Sequence, residues 1–130
     1  MPPAAGSAFV ALDVELHLCV EQDYFRSDVK AAVLDVLSSG VRADGTLGFF
    51  HPDRFTFGSP VYLSAIVAAA QEVEGVESVT PTAFQRQRDT ATSALDTGVL
   101  EMGRLEIARL DDDPSFPEHG VLVLTAGGGK

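Results

Sequence analysis

Apolar and polar residues alternate most strictly near the start of the chain. Six apolar side chains fall at every second position from Val10 to Val20, and the positions between them hold small or polar residues. Because successive side chains of a β-strand point to opposite faces, this pattern predicts a strand with one buried face. The first seven residues show no such period. We therefore interpret residues 1–7 as a leader or linker and residues 8–130 as a single domain.

Two further stretches place apolar residues at helical spacing. The first follows a capping candidate at Asp23 and ends at Ser38-Ser39-Gly40. The second follows Ser59-Pro60, a capping hydroxyl before a proline that suits the first helical position, and ends at Gly75. Each apolar stripe predicts an amphipathic helix that packs one side against the core.

The remaining pattern predicts strands and one loop. The stretch GFFHPDRFTFGSP predicts a short strand bent at His-Pro-Asp, and VESVTPTAFQRQ predicts a longer one. Pro81 lacks an amide donor, so the longer strand must lie at a sheet edge or carry a bulge. The polar residues 88–97 predict a loop. The strings GRLEIARL and GVLVLTA then predict two strands that pair as a hairpin over residues 103–126.

This order of elements predicts an α+β fold class. Strand, helix, short strand, helix, strand and a C-terminal hairpin suit a two-layer sandwich, in which a mixed or antiparallel sheet carries both helices on one face. The chain has 130 residues, which is the size of one domain.

Charge excludes two classes of partner. The chain carries 19 acidic and 9 basic residues, for a net charge of −10. A protein that binds nucleic acid or an anionic membrane surface needs a cationic footprint, so we expect neither partner. No apolar run reaches the ~18 residues of a membrane span. The single cysteine, Cys19, cannot form an internal disulfide, and a cytoplasmic location is favoured.

An acidic run stands between the last two predicted strands, in the stretch ARLDDDPSFPEHGVLVL: Asp111, Asp112 and Asp113. A calcium-binding EF-hand loop that began at Asp111 would need glycine and glutamate where Phe116 and Leu122 stand. A looser calcium site formed by Asp111, Asp113 and Glu118 stays open as an alternative. We favour a wide hairpin loop shaped by its two prolines, with Phe116 packed against the sheet.

Other arrangements for chemistry are weaker. His17 and Cys19 share one face of the first predicted strand, but a metal needs at least one further ligand that the spacing does not supply. The sequence has no glycine-flanked nucleophile elbow, and its final TAGGGK lacks the ending of a phosphate loop. We therefore expect no catalytic residues, no cofactor and no enzymatic activity.

Half of the eight phenylalanines lie in residues 49–57, which we call the phenylalanine segment: Phe49, Phe50, Phe55 and Phe57. Such a cluster is typical of a core. A short aromatic segment between two helices also suits a docking surface, and both interpretations stay open.

Several strings together resemble the C-terminal region of baseplate J-like assembly proteins, which belong to contractile phage tails and related contractile injection systems. These strings are YFRSDVKAAVLDVLSSG, GFFHPDRFTFGSPVYLSAIVAAAQEVEGVESV and LDTGVLEMGRLEIARLDDDPSFPEHGVLVLTAGGGK. The most specific pieces are FFHPD leading into FTFG, and MGRLEIARLD followed by FPEHG. The resemblance covers roughly residues 9–130, although family members are usually much longer chains.

The resemblance implies a structural wedge component without catalytic residues. Its expected partners are other wedge proteins, hub or sheath proteins and further copies of itself. Its expected location is the cytoplasm during assembly and then a virion or an injection particle. The candidate contacts are the phenylalanine segment, the three aspartates and Phe116. A subunit is also expected to bury Asp13, Glu15 and His17. The alternative is a stand-alone module that binds a divalent cation or a small ligand through the acidic loop.

Overall fold

The computed structural model describes residues 8–87 and 93–130. The predicted leader, residues 1–7, therefore lies outside the described residues. The elements follow in chain order: β1 (Ala8–Val20), α1 (Arg26–Val36), β2 (Val61–Tyr62), α2 (Leu63–Gln71), β3 (Val76–Arg86), α3 (Ser93–Thr97), β4 (Val99–Leu100), β5 (Glu106–Arg109) and β6 (Val121–Gly128). Two single 3₁₀ turns lie at Pro52–Arg54 and Pro117–His119.

Strand β1 is the centre of a four-stranded mixed sheet. Strand β3 pairs antiparallel along one side of it. Strands β5 and β6 both pair parallel along the other side, where β5 lies beside the first part of β1 and β6 beside the second. Val10 is thus opposite Ala108, and Leu16 is opposite Leu124. The 13 residues of β1 give it the length to hold both neighbours in line.

This sheet confirms the predicted α+β class with a mixed sheet, but the predicted C-terminal hairpin is wrong. A hairpin would reverse the chain and pair β5 with β6. The two strands instead run in the same direction along β1. The residues that join them, 111–119, leave the sheet edge and return to it, and we call them the acidic excursion. Apolar alternation predicts that a segment is a strand but does not specify which strand lies beside it.

Both main helices cover the sheet face that bears the even-numbered side chains of β1. Five of the six apolar side chains predicted for this face are at most 2% exposed: Leu12, Val14, Leu16, Leu18 and Val20. They form one core cluster with Val29 and Val33 of α1 and Ile66 and Ala70 of α2. Burying each large aliphatic side chain contributes about 1.5–3 kcal/mol, so this layer is the main source of stability.

Helix α2 begins at Leu63, later than the predicted start at Ser59-Pro60. The Ser59 hydroxyl lies 2.6 Å from the Thr56 hydroxyl and forms a hydrogen bond with it rather than a helix cap. Val61 and Tyr62 form β2, which pairs antiparallel with β4. The N–H of Leu63 donates to the carbonyl of Gly98 at 2.8 Å. These tertiary hydrogen bonds override a local start signal.

Strand β3 confirms the prediction made from Pro81. Within the described residues β3 pairs only with β1, so it is an edge strand. Its register also shifts at the proline, because Glu15 is opposite Ala83 whereas Leu16 is opposite Pro81. Thr82 is the extra residue of this bulge. A sheet edge and a bulge are places where a sheet tolerates a residue that has no N–H.

Two predictions about irregular segments are partly wrong. Residues 88–92 of the predicted loop lie outside the described residues, and residues 93–97 form the short helix α3. The phenylalanine segment contains a 3₁₀ turn at Pro52–Arg54 and no strand. Its bend lies where His-Pro-Asp predicted it, since the N–H of Asp53 donates to Nδ1 of His51 at 3.1 Å.

Candidate interaction surfaces

Phe50 belongs to the core and cannot serve as a docking residue. Its side chain is 2% exposed. Its ring stacks parallel to Phe55 with 6.1 Å between centroids, and Phe49 meets it edge-on at 5.0 Å. Aromatic pairs in these geometries add to the stabilisation from burial. This corrects the prediction for Phe50, because a side chain that is 2% exposed offers a partner almost no contact area.

The other phenylalanines of the segment are more accessible. Phe49 and Phe55 are half-buried, and the guanidinium of Arg54 lies 5.7 Å from the Phe49 ring centroid. Phe57 is 55% exposed. The docking hypothesis for these three residues therefore stays a prediction, with Phe57 the most available of them.

Backbone hydrogen bonds close the acidic excursion at its base. The N–H of Asp111 donates to the carbonyl of His119 at 3.0 Å, and the N–H of Asp112 donates to the carbonyl of Gly120 at 3.1 Å. The chain therefore leaves the edge after Leu110 and rejoins it at Gly120 as a closed loop. These two hydrogen bonds define the base of the loop.

The three aspartates have separate structural roles. The Asp111 carboxylate accepts from Nε and Nη2 of Arg109 at 3.1 and 2.9 Å. The Asp112 carboxylate accepts from the N–H of Leu122, and the Asp113 carboxylate accepts from the N–H of Ser115. Across residues 8–87 and 93–130, no group of three or more His, Cys, Asp or Glu side chains is arranged to hold a metal ion.

Arg109 links the acidic excursion to the start of β1. Besides its ion pair with Asp111, its Nη2 lies 3.2 Å from Nδ1 of His119, to which it can donate when that nitrogen is unprotonated. Its guanidinium also lies 5.1 Å from the ring centroid of Phe9. The ring of His119 stacks on Phe116 at 5.2 Å, with 8° between the planes. Phe116 therefore packs on a histidine, and the prediction that it packs against the sheet is wrong.

Two aromatic rings on this surface are open to solvent. Phe9 is 67% exposed and Phe116 is 49% exposed. Between them the side chains of Arg109, Asp111 and His119 are held in place by one another. We call these five residues the aromatic–charged cluster. Large apolar rings around a fixed arginine are typical of sites that bind another protein surface.

A cavity of about 300 Å³ joins this cluster to the phenylalanine segment. Phe50 and Pro52 line it from one side, and Phe9, Ile107 and Arg109 line it from the other. The hydroxyl of Ser39 also donates to the carbonyl of Asp111 at 3.1 Å. The structure therefore brings the start of the acidic excursion against the start of the phenylalanine segment, two stretches that are far apart in sequence.

A second ion pair, between Arg86 and Glu106, fixes residues 101–105, which lead into β5. Arg86 donates from Nη1 and Nη2 to the two carboxylate oxygens of Glu106 at 3.0 and 2.9 Å, and from Nη2 to the carbonyl of Glu101. The N–H of Gly103 donates to the same carboxylate at 2.6 Å. The hydrogen bonds from Arg86 are the largest cause that holds the pKa of Glu106 below its usual value, followed by that from Gly103. This clamp ties the end of β3 to the start of β5.

Sequence reasoning missed Phe9, Arg109 and His119 as members of the cluster. For Phe9 a signal was present, because an aromatic residue on the polar face of a half-buried strand has no place in the core. Arg109 and His119 gave no comparable signal, since charged residues beside an acidic run are usual in an exposed loop.

Comparisons with protein-family models, with curated proteins and with solved structures each found no match. In the part of the chain that the structure describes, no helix combines the length and the apolar character required to cross a membrane.

Proposed function

We propose that this chain is a structural assembly module of the baseplate of a contractile tail or contractile injection system, where it mediates contacts between subunits. The observation that carries the proposal is the aromatic–charged cluster, which exposes Phe9 and Phe116 on either side of Arg109. Aromatic residues and arginine dominate the binding energy of protein interfaces. The sequence resemblance gives the class of assembly, and the cluster gives a surface suited to it.

The charge of the chain fits the same role. Asp113 and Glu118 are exposed at the tip of the acidic excursion, beside the cluster. Charges at the rim of an interface steer association and fix orientation more than they add affinity. The proposed partners are wedge, hub or sheath proteins with basic surfaces, together with further copies of the chain. Assembly would take place in the cytoplasm, before incorporation into a virion or an injection particle.

The test is co-purification of the tagged chain from cells that produce the particle. The native chain should recover wedge, hub or sheath proteins, and the double variant Phe9→Ser with Phe116→Ser should recover much less of them. Phe25→Ser is the matched control, since Phe25 is another exposed phenylalanine but lies beyond the opposite end of β1. The proposal fails if the native chain purifies without any wedge, hub or sheath protein from cells that are producing the particle.

A further inference from the structure

The sheet face opposite the helices carries a groove of about 380 Å³ in the middle of the sheet. We call it the open face, and it bears the odd-numbered side chains of β1. Asp13 lies between Gln85 of β3 and Val121 of β6. Glu15 lies between Ala83 and Val123 in the next row. Two carboxylates therefore stand in line along the central strand, with two valines in line beside them.

Both carboxylates are held in place by neutral donors. Nε2 of Gln87 donates to Asp13 at 3.2 Å, and the Thr82 hydroxyl donates to Glu15 at 2.9 Å. Among the described residues, no cationic side chain forms an ion pair with either of them. Alternate residues of a strand lie roughly 7 Å apart, so two carboxylates without an ion-pair partner among the described residues stand at that spacing.

The valines give this face a second property. Val123 is 40% exposed, and Val121 is partly exposed one row away. Neighbouring strands lie about 4.8 Å apart, so each valine stands beside its carboxylate at the distance spanned by a long basic side chain. Lysine and arginine place an aliphatic stem on an apolar surface while the charged head reaches a polar partner. A row of such side chains at every second position matches the open face in both spacing and chemistry.

We infer that the open face binds an extended basic segment of a partner subunit, with lysine or arginine at alternating positions above Asp13 and Glu15. This inference rests on the proposed function and names the chemistry of one partner. A second copy of the chain is a poor occupant, because each copy carries a net charge of −10 and would set its own carboxylates against these. A basic segment has the complementary charge.

The probe is a capped peptide of about eight residues that alternates lysine and valine, titrated into the full chain while backbone amide shifts are followed by NMR. In an extended conformation all its lysines lie on one side. We expect saturable shifts centred on residues 13–15 and 121–123. A peptide of equal composition with its lysines in one block should bind at least about tenfold more weakly, since its charges do not match the spacing.

The variants separate this site from general attraction to an acidic protein. Asp13→Asn with Glu15→Gln should weaken binding of the alternating peptide at least about tenfold. Asp28→Asn with Glu77→Gln removes the same number of charges from exposed positions elsewhere and should leave binding within about twofold. Equal binding by all three proteins would overturn the inference, as would shifts centred on the acidic excursion. Concentration-dependent shifts at the same amides without peptide would assign the face to a second copy and also overturn it.

This outcome is independent of the test for the proposed function. If baseplate proteins co-purify but the alternating peptide does not bind the open face, the assembly role stands and this inference fails. If the peptide binds as expected but no baseplate protein co-purifies, the face recognises basic segments and the assembly role fails.

Discussion

Gly120 lies so close to Leu110 that a Cβ atom on the glycine would stand 2.8 Å from the Cα of Leu110. The same atom would lie 2.9 Å from the carbonyl oxygen of Arg109. Gly120 also has a φ of +106°, a conformation that residues with side chains rarely adopt. The chain leaves the sheet edge after Leu110 and returns to it at Gly120, so the two backbone segments meet closely here. That contact allows β5 and β6 to follow one another along β1.

Gly120→Ala should therefore destabilise the fold by about 2–4 kcal/mol, because both the backbone conformation and the available space exclude a methyl group. Urea unfolding followed by circular dichroism measures the change. Gly40→Ala is the control, since a Cβ at Gly40 would meet no atom within 4 Å. That control should change stability by no more than about 0.5 kcal/mol. Equal unfolding midpoints for the two variants would contradict the role given to Gly120.

Phe50→Ala should cost about 3–5 kcal/mol, because it removes a fully buried ring from the core. Phe57→Ala should cost no more than about 0.5 kcal/mol, because that side chain is mostly exposed. Chemical denaturation of both variants checks the difference. If Phe50→Ala left stability unchanged and reduced only recovery of partners, Phe50 would be a docking residue as first predicted.

Local patterns in the sequence predicted the features of the fold that depend on neighbouring residues alone, such as the buried face of β1 and the position of Pro81. The alternation from Val10 to Val20 requires one buried face whatever the neighbours are, and that face is buried. Pro81 requires a bulge or an edge because it lacks an N–H, and it has both. The position of β6 could not be predicted in this way. Parallel pairing beside β1 and a hairpin with β5 bury the same apolar residues of β6, so its alternation is equally consistent with either.

The candidate site was less predictable because its members meet only through the fold. Asp111 and Arg109 are two residues apart, so their ion pair alone would be an ordinary local contact. It becomes part of a candidate interaction surface because the Arg109 guanidinium lies over the ring of Phe9, which is about a hundred positions away in sequence. The three aspartates look equivalent in sequence. The backbone path of the excursion gives each a different donor, so composition indicated a single acidic patch where the structure has three separate contacts.

Asp112 combines a strained backbone with a structural hydrogen bond. Its φ is +51°, and it is the one non-glycine residue in the described part of the chain with a positive φ. Its carboxylate accepts from the N–H of Leu122 at 3.1 Å. Asp112→Ala should cost roughly 1–2 kcal/mol, because alanine tolerates a positive φ less well than aspartate and the hydrogen bond is lost.

Asp112→Asn distinguishes hydrogen bonding from charge. Asparagine keeps an acceptor oxygen and tolerates positive φ, so stability measured by urea unfolding should stay within about 0.5 kcal/mol of the native chain. If the asparagine variant lost as much stability as the alanine variant, the negative charge rather than the hydrogen bond would hold Asp112 to Leu122.

The clamp between Arg86 and Glu106 should make stability depend on pH. The pKa of Glu106 is lowered, first by the hydrogen bonds from Arg86 and then by that from Gly103. A lowered pKa in the folded state means that the contribution to stability is present above the unfolded pKa, near about 4.3, and is lost as pH falls through the folded pKa. A partly exposed bidentate pair of this kind contributes on the order of 1 kcal/mol or less. Glu106→Gln should therefore be less stable than the native chain at about pH 7, and this difference should shrink as pH falls through the lowered pKa of Glu106.

Urea unfolding of both proteins at several pH values measures this difference, with Glu77→Gln, an exposed position on β3, as the control for loss of a surface charge. The control should show a smaller difference from the native chain, because a single exposed charge contributes little. A gap between the native chain and Glu106→Gln that did not narrow as pH fell below the unfolded pKa, near about 4.3, could not come from the carboxylate charge, since linked protonation must weaken the native chain over that range. Such a result would mean that the glutamine fails to accept from Gly103, and that this neutral hydrogen bond rather than the ion pair holds the approach to β5.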